Sequence, residues 1–328
     1  MSTVTTTTLS AEMKTFYDMR LIDEASPMLV HEQFGQKRPI PQGGGKTVNF
    51  RRFSPLAKAT TALTEGVTPS GSSLSVSSIS AIVAQYGDYV VQSDVLELTA
   101  VDNTILETTK LLGRQAGLTM DTIVRNALLL GTNKSYAPKY VADTNGNLVE
   151  TEVTKTADLD TSAKLTVDVV QRVVAKLRAQ NAPTIGGDYV CIIHPYVAYD
   201  LMRDPEWIDA HKYATPENLY TGEIGKMAGV RFVQSTEAKI DKGGSGNPSG
   251  LAVFHCLFIG DGAYGVTEVT GGGLQTIVKQ KGSSGTADPL DQRSSVGWKG
   301  LKAAKILVDN YLVDLMCCSK FSATATAN

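Results

Sequence analysis

One stretch of this 328-residue chain matches a chemical signature letter for letter. Gly260-Asp261-Gly262-Ala263-Tyr264-Gly265 carries the glycine spacing of a dinucleotide-binding turn and comes after an apolar run over residues 251–259. Cofactor chemistry also needs a helix directly after the glycines, because the helix N-terminus receives the pyrophosphate. The next residues are Val266-Thr267-Glu268-Val269-Thr270 and Gly271-Gly272-Gly273, which read as strand and turn. The glycines are therefore read as turn residues. Metal and nucleophile chemistry fare no better. His31-Glu32 lacks the second His that a helical zinc motif needs four residues on. His194 precedes Pro195 and reads as the start of a helix, His211 as a surface residue of a loop, and His255 as part of a buried strand beside Cys256. Cys191, Cys256, His194 and His255 lack zinc-ligand spacing, and nothing marks a nucleophile elbow or an oxyanion loop. Asp204, Glu206 and Asp209 read as loop acids facing water, and Asp288, Asp291 and Arg293 as a local polar junction. No catalytic, cofactor-binding or metal-binding residue is assigned, and these readings together point away from an enzyme.

Composition narrows the class further. Lys and Arg number 31 against 33 Asp and Glu, a formal charge of -2, which argues against a protein whose main task is gripping nucleic acid or an anionic membrane. Hydrophobic residues make up 42%, enough for a sizeable core, and the length suits two domains or one large elaborated one. The Thr-rich start carries neither a basic segment nor an apolar core, so no signal peptide is expected. The apolar run at 251–259 is far short of the ~20 residues that span a bilayer, so no membrane partner is expected. Four cysteines, two of them adjacent at Cys317 and Cys318, do not make a disulfide scaffold and suit a reducing compartment.

The elements that would position any site are partly legible. Residues 1–10 read as a flexible lead, succeeded by a short helical pattern with Met13, Phe16, Tyr17 and Ile22 as its apolar positions. Residues 27–45 read as extended and irregular, so the first 45 residues look like an arm. Residues 46–53 alternate as a strand, a polar excursion covers 54–75, and strand-like sequence resumes over 76–91. Unstructured loops above ~12–15 residues are uncommon in compact domains, so a long hairpin projecting from the body is expected. A helix is predicted over 103–130, with Thr104 and Glu107 as a capping box. Its apolar face is predicted at Ile105, Leu112, Ala116, Ile123, Ala127 and Leu130. Gly113 and Gly117 within it imply close packing on a neighbouring backbone, or a mild bend. A second helix over 166–180 stripes Val169, Val170, Val173, Val174 and Leu177. Strands at 189–193, 230–234 and 251–260 come next, with a helix from Pro195.

Arg51, Arg52 and Lys58 lie along the projecting hairpin, with Glu65 near its far end. A flap without its own core can pair such charges with another subunit. Exposed pairs contribute only ~0.2–1 kcal/mol each, but repetition around a ring can set the register. Plain solvated charges are the alternative.

This order of parts resembles the Hong Kong 97-type fold of tailed-phage major capsid proteins, an α+β architecture. Several stretches are similar to the major capsid family named after phage N4. They are Gln85-Tyr86-Gly87 with Ser93-Asp94, Ile192-Ile193-His194-Pro195 leading to Asp200-Leu201, and Gly225-Lys226-Met227-Ala228-Gly229-Val230. Asp288-Pro289-Leu290-Asp291-Gln292-Arg293 with Val296-Gly297-Trp298-Lys299 completes the set. The resemblance implies an N-terminal arm over 1–45 and an extended loop hairpin over 46–85 that lies on a neighbouring subunit. It further implies a peripheral domain over 86–165 with a spine helix at 103–130, an axial domain over 166–288, and C-terminal strands over 289–328. The implied function is self-assembly into hexamers and pentamers of an icosahedral virion shell, built in the host bacterial cytoplasm. The shell encloses packaged double-stranded DNA without sequence-specific binding. Some relatives carry a cleaved N-terminal scaffolding segment; the short lead here suits a separate scaffolding protein, with a portal and decoration proteins as further partners and no cofactor. Two other readings stay open, a bacterial encapsulin-type nanocompartment shell and a nucleotide-dependent enzyme using the turn at Gly260.

Overall fold

The computed structural model of the chain describes residues 19, 21–25, 28–40, 45–53, 56–68, 71–99, 104–212, 224–243, 250–268, 274–283 and 288–328. The expected lead and the apolar positions Met13, Phe16 and Tyr17 lie outside these residues. A helical turn at residues 21–25 leads to β1 (Gln36–Arg38), then to a hairpin of β2 (Thr47–Phe53) and β3 (Val76–Ile82). β4 (Ala84–Ser93) begins almost without a break, then come a short helix Asp94–Thr99 and the long helix Thr104–Leu128. β5 (Lys134–Tyr136) precedes a small hairpin of β6 (Lys139–Ala142) and β7 (Leu148–Thr151). Helix Val167–Ala179, β8 (Tyr189–Ile193) and helices Pro195–Met202 and Pro205–Lys212 come next. The rest is strand: β9 (Lys226–Met227), β10 (Val230–Gln234), β11 (Ile240–Lys242), β12 (Ala252–Ile259), β13 (Tyr264–Thr267), β14 (Leu274–Lys279), β15 (Arg293–Lys302), β16 (Ala304–Ile306) and β17 (Leu312–Cys317).

The largest sheet has the order β5-β17-β12-β8-β10-β9, with β11 also paired to β12. β12 runs antiparallel to β17 and β8, while β5 and β10 lie parallel to β17 and β8. All of β12 is buried, because it is covered on both faces. On one side Phe254 and Phe258 share a core with Val170, Val173 and Leu177 of helix Val167–Ala179. On the other, Leu257 and Ile259 pack with Val124 and Leu128 of the long helix. Helix Val167–Ala179 buries the whole predicted stripe and starts where Thr166 accepts from the Val169 N–H at 3.4 Å. A second sheet, β14-β15-β4, sets Val296 and Trp298 of its central strand against the N-terminal half of the long helix. β4 forms its edge, paired to β15 along all ten residues. A third sheet, β1-β13-β16, supports the root of the β2–β3 hairpin through Phe50, which packs with Ala303 and Leu307. Among the described residues no helix is long and apolar enough to cross a membrane.

The long helix departs from the predicted stripe. Its buried positions run 109, 112, 113, 116, 117, 120, 121, 124, 125 and 128, whereas Leu130 lies past the last helical residue and is 79% exposed. Four of these ten positions, Gly113, Gly117, Asp121 and Arg125, are invisible to a hydrophobicity pattern and are spaced four apart in one row. Leu21, Glu24, Ala25, Met28 and His31 lie along its first three members, and Arg125 donates to the Glu237 carbonyl. A Cβ on Gly117 would come 2.6 Å from the Ala25 carbonyl oxygen and 2.9 Å from Met28 Cβ, so close packing explains the glycine. The described residues between Leu21 and Ile40 are thus docked on their own chain, and β1 gains its backbone partners by pairing with Gly265 to Thr267. The short helix Pro205–Lys212 occupies sequence that read as loop, and another, Asp94–Thr99, lies where no element was predicted. Asp204 is not an idle loop acid: its carboxylate accepts from the Glu206 N–H (3.1 Å) and the Val167 N–H (2.9 Å), tying two helix starts together.

Candidate functional site

The residues with chemical potential are spent on holding the fold. At Gly260–Gly265 no helix comes after the glycines; β13 begins at Tyr264, Gly262 has φ +68° as a turn glycine, and Gly265 leaves room for the Phe50 ring. His194 is the predicted helix cap, its Nδ1 accepting from the Tyr196 N–H at 3.2 Å, and burial lowers its pKa. His31 donates its backbone N–H to Asp121 Oδ1 (2.7 Å) and sets Nδ1 2.6 Å from Asp121 Oδ2, with both side chains fully buried. Beside it Glu32 meets Lys302 at 2.6 Å, and Lys302 Nζ also donates to the Thr267 carbonyl at 2.9 Å. Burial lowers the Lys302 pKa against the opposing pull of Glu32. His255 sits between Asp314 and Asp241, its two ring nitrogens 3.0 Å from each. Burial alone would lower its pKa, but the two carboxylates outweigh that and raise it to about 9. Cys256 and Cys317 bring their sulfurs to 3.7 Å inside the core, as free thiols. Arg293 and Asp288 form the expected polar junction, the Arg293 N–H donating to Asp288 Oδ2 at 2.8 Å.

The outward-facing surface is where the chain is unusual. Thirteen of the twenty-six large apolar side chains exposed among the described residues fall between Phe53 and Leu98. On the hairpin, β2 alternates strictly: Val48 and Phe50 face the body, while Asn49, Arg51 and Phe53 face out. Beyond it the chain from Leu56 to Thr68 has no regular structure and is exposed throughout, Leu63 by 77%. Arg51 and Lys58 are exposed, and Glu65 lies in a turn closed by the Val67 N–H to the Thr64 carbonyl. Among the described residues none of these three has an ion-pair partner in its own chain. Arg52 differs: it is half-buried and its Nη1 donates to the Leu307 carbonyl at 3.4 Å, fastening the hairpin root. The structure therefore does not bring the four charges together; it strings them along one projecting element. A second exposed surface escaped sequence reasoning. Edge strand β4 exposes Tyr89, Val90 and Val91, and the helix after it exposes Val95, Leu96 and Leu98. Consecutive apolar residues of both strand parities, with three more within four positions just beyond, were the available signal.

Comparisons with known proteins agree with this picture. A family model described as phage capsid protein matches residues 54–312. Comparison with the curated proteins finds no match. The fold is similar to the capsid of Ralstonia phage GP4, with TM-score 0.65, 17% identity, and 88% of this chain and 87% of that chain covered. It is similar to the head structure of Helicobacter pylori bacteriophage KHP40 at TM-score 0.63 and 13% identity, over 86% of this chain and 88% of that one. The capsid of cyanophage P-SCSP1u gives TM-score 0.60 and 15% identity, with 88% and 87% covered. The α+β architecture is thus the Hong Kong 97-like one. With most of its length matched by that family model, the chain belongs to the phage capsid protein family, a structural protein of the virion shell rather than an enzyme.

Proposed function

We propose that this chain is the major subunit of a tailed-phage head, related to the N4 major capsid family, and that it closes as hexamers and pentamers into an icosahedral shell around packaged double-stranded DNA. The observation that carries this reading is the exposed apolar surface gathered on a coreless flap and on a strand edge that is unpaired among the described residues. Solitary soluble proteins rarely leave such surface bare, and a long free edge strand invites another chain. In this reading residues 1–45 are an arm, 46–85 the loop laid on a neighbour, 86–165 the peripheral domain, 166–288 the axial domain and 289–328 the returning strands. Arg51, Lys58 and Glu65 meet charges on that neighbour, while Arg52 holds the root. The near-neutral charge lets the shell enclose DNA without gripping its phosphates. A separate scaffolding protein, a portal and decoration proteins are its partners.

Electron microscopy and size-exclusion chromatography of the purified protein, with and without its scaffold, test the proposal. Rings, shells or tubes are expected; a subunit that stays solitary even with the scaffold present refutes it. Deleting residues 56–73 is expected to leave a folded subunit that no longer assembles. Normal shells from that deletion would remove the role given to the flap.

A further inference from the structure

Beside β5, the edge of the largest sheet among the described residues, lies a cavity of about 430 Å³, a volume that suits a small ligand. Its floor is apolar, made by Val169 and Val173 of helix Val167–Ala179, Leu315 of β17 and Val153 just after β7. Three cations and one acid complete its charged lining. Arg172 is neutralised on its outer side by Glu150 at 2.5 Å and Asp168 at 2.8 Å. The acid, Glu152, is exposed to water. That leaves Lys134, which is exposed, and Lys176, which is partly buried, neither with an ion-pair partner among the described residues. Lys176 Nζ donates to the Lys134 carbonyl at 3.0 Å and to Ser135 Oγ at 2.9 Å. An ammonium carries three donors, so one is unspent. Burial lowers the Lys176 pKa, and no carboxylate opposes that. A charge taken out of water is ordinarily paired; here an uncompensated one stands over an apolar floor.

We propose that this cavity binds a carboxylate carried on a short apolar body, its oxygens meeting Lys176 and Lys134 and its hydrocarbon part lying on Val169, Val173 and Leu315. The apolar body gains by leaving water, and the charge-assisted hydrogen bond to Lys176 fixes its orientation. Two unpaired cations suit a monoanion. A phosphate group, with nearly two charges and three acceptor oxygens, would leave acceptors unmet above the valines. The same chemistry has two sources, a free organic acid or the terminal carboxylate of another chain whose last residues are apolar. The inference does not rest on the shell reading, since every residue it uses belongs to a single subunit.

Calorimetric titration of the full-length unassembled chain tests this with two matched pairs of probes. One pair is octanoate and octanol; the other is acetylated valyl-leucine and its C-terminal amide. At least one of the two acids is expected to bind, and the tighter of them names the source. The alcohol and the amide are expected to bind at least about tenfold more weakly than their acids. Lys176→Gln keeps a donor for the Lys134 carbonyl but removes the charge, and should weaken acid binding by about tenfold or more. Circular dichroism and thermal melting confirm that this variant folds. Failure of both acids to bind at millimolar concentration overturns the proposal, and so does a variant that binds them as the wild type does. Should Lys176→Gln misfold, the matched pairs on the wild type decide: equal affinity for acid and neutral partner overturns the proposal.

Discussion

The buried His255 ties three strands together through charge, and its pH response can be worked out from the geometry. Asp241 is on β11, His255 on β12 and Asp314 on β17, with His255 and Asp314 almost wholly buried. In the folded subunit the imidazole pKa rises from 6.5 to about 9. A group whose folded pKa is the higher one contributes stability that is fully present below its unfolded value and is lost as pH rises through the folded value. The window is therefore pH 6.5 to about 9, and the full effect corresponds to about 3 kcal/mol. For a chain of this size that amounts to a fall in Tm on the order of 5 °C between those limits. The assay is urea unfolding of unassembled wild type and His255→Gln at steps across this range. Subtracting the variant removes every other titrating group. The difference in unfolding free energy is expected to shrink by about 3 kcal/mol as pH rises, while the imidazole NMR signal titrates near pH 9. A difference that stays constant, or an imidazole titrating near 6.5, would refute the reasoning.

The packing sets further outcomes. Gly117→Ala should destabilise the subunit by about 1–3 kcal/mol, because the overpacking cost against the Ala25 carbonyl exceeds the helix-propensity gain; Gly113→Ala, with its nearest contact at 3.0 Å, should cost less in the same urea titration. Glu32→Ala leaves Lys302 buried without its carboxylate and should cost about 3–5 kcal/mol, whereas the double change Glu32→Leu with Lys302→Met should recover most of that in a thermal melt.

Local signals in the sequence translated well into structure. Helix Val167–Ala179 was readable because its five buried apolar residues sit at helical spacing between a Thr cap and Pro183. His194-Pro195 marked a helix start by its own chemistry, and the missing helix after Gly265 excluded a nucleotide turn. What failed depended on distant partners. His31 and Asp121 are 90 residues apart, and Glu32 and Lys302 farther still, so nothing local marks either pair for burial. The face of the long helix was misread in part for the same reason: Gly113 and Gly117 did imply close packing, but Asp121 and Arg125 look exposed until their distant partners His31 and Glu237 are known. The helices Asp94–Thr99 and Pro205–Lys212 are too short for a period to show. Of the flap charges, the sequence located all four but did not distinguish Arg52, whose carbonyl partner lies 255 residues away.

The seat of Phe50 on Gly265 has a mechanical consequence. A ring pressed against bare backbone, with a guanidinium clamp beside it, acts as a fixed fulcrum. Any swing of the projecting segment must then hinge outward of residue 52. A larger side chain at position 265 would come within 2.4 Å of the Phe50 ring and unseat that fulcrum.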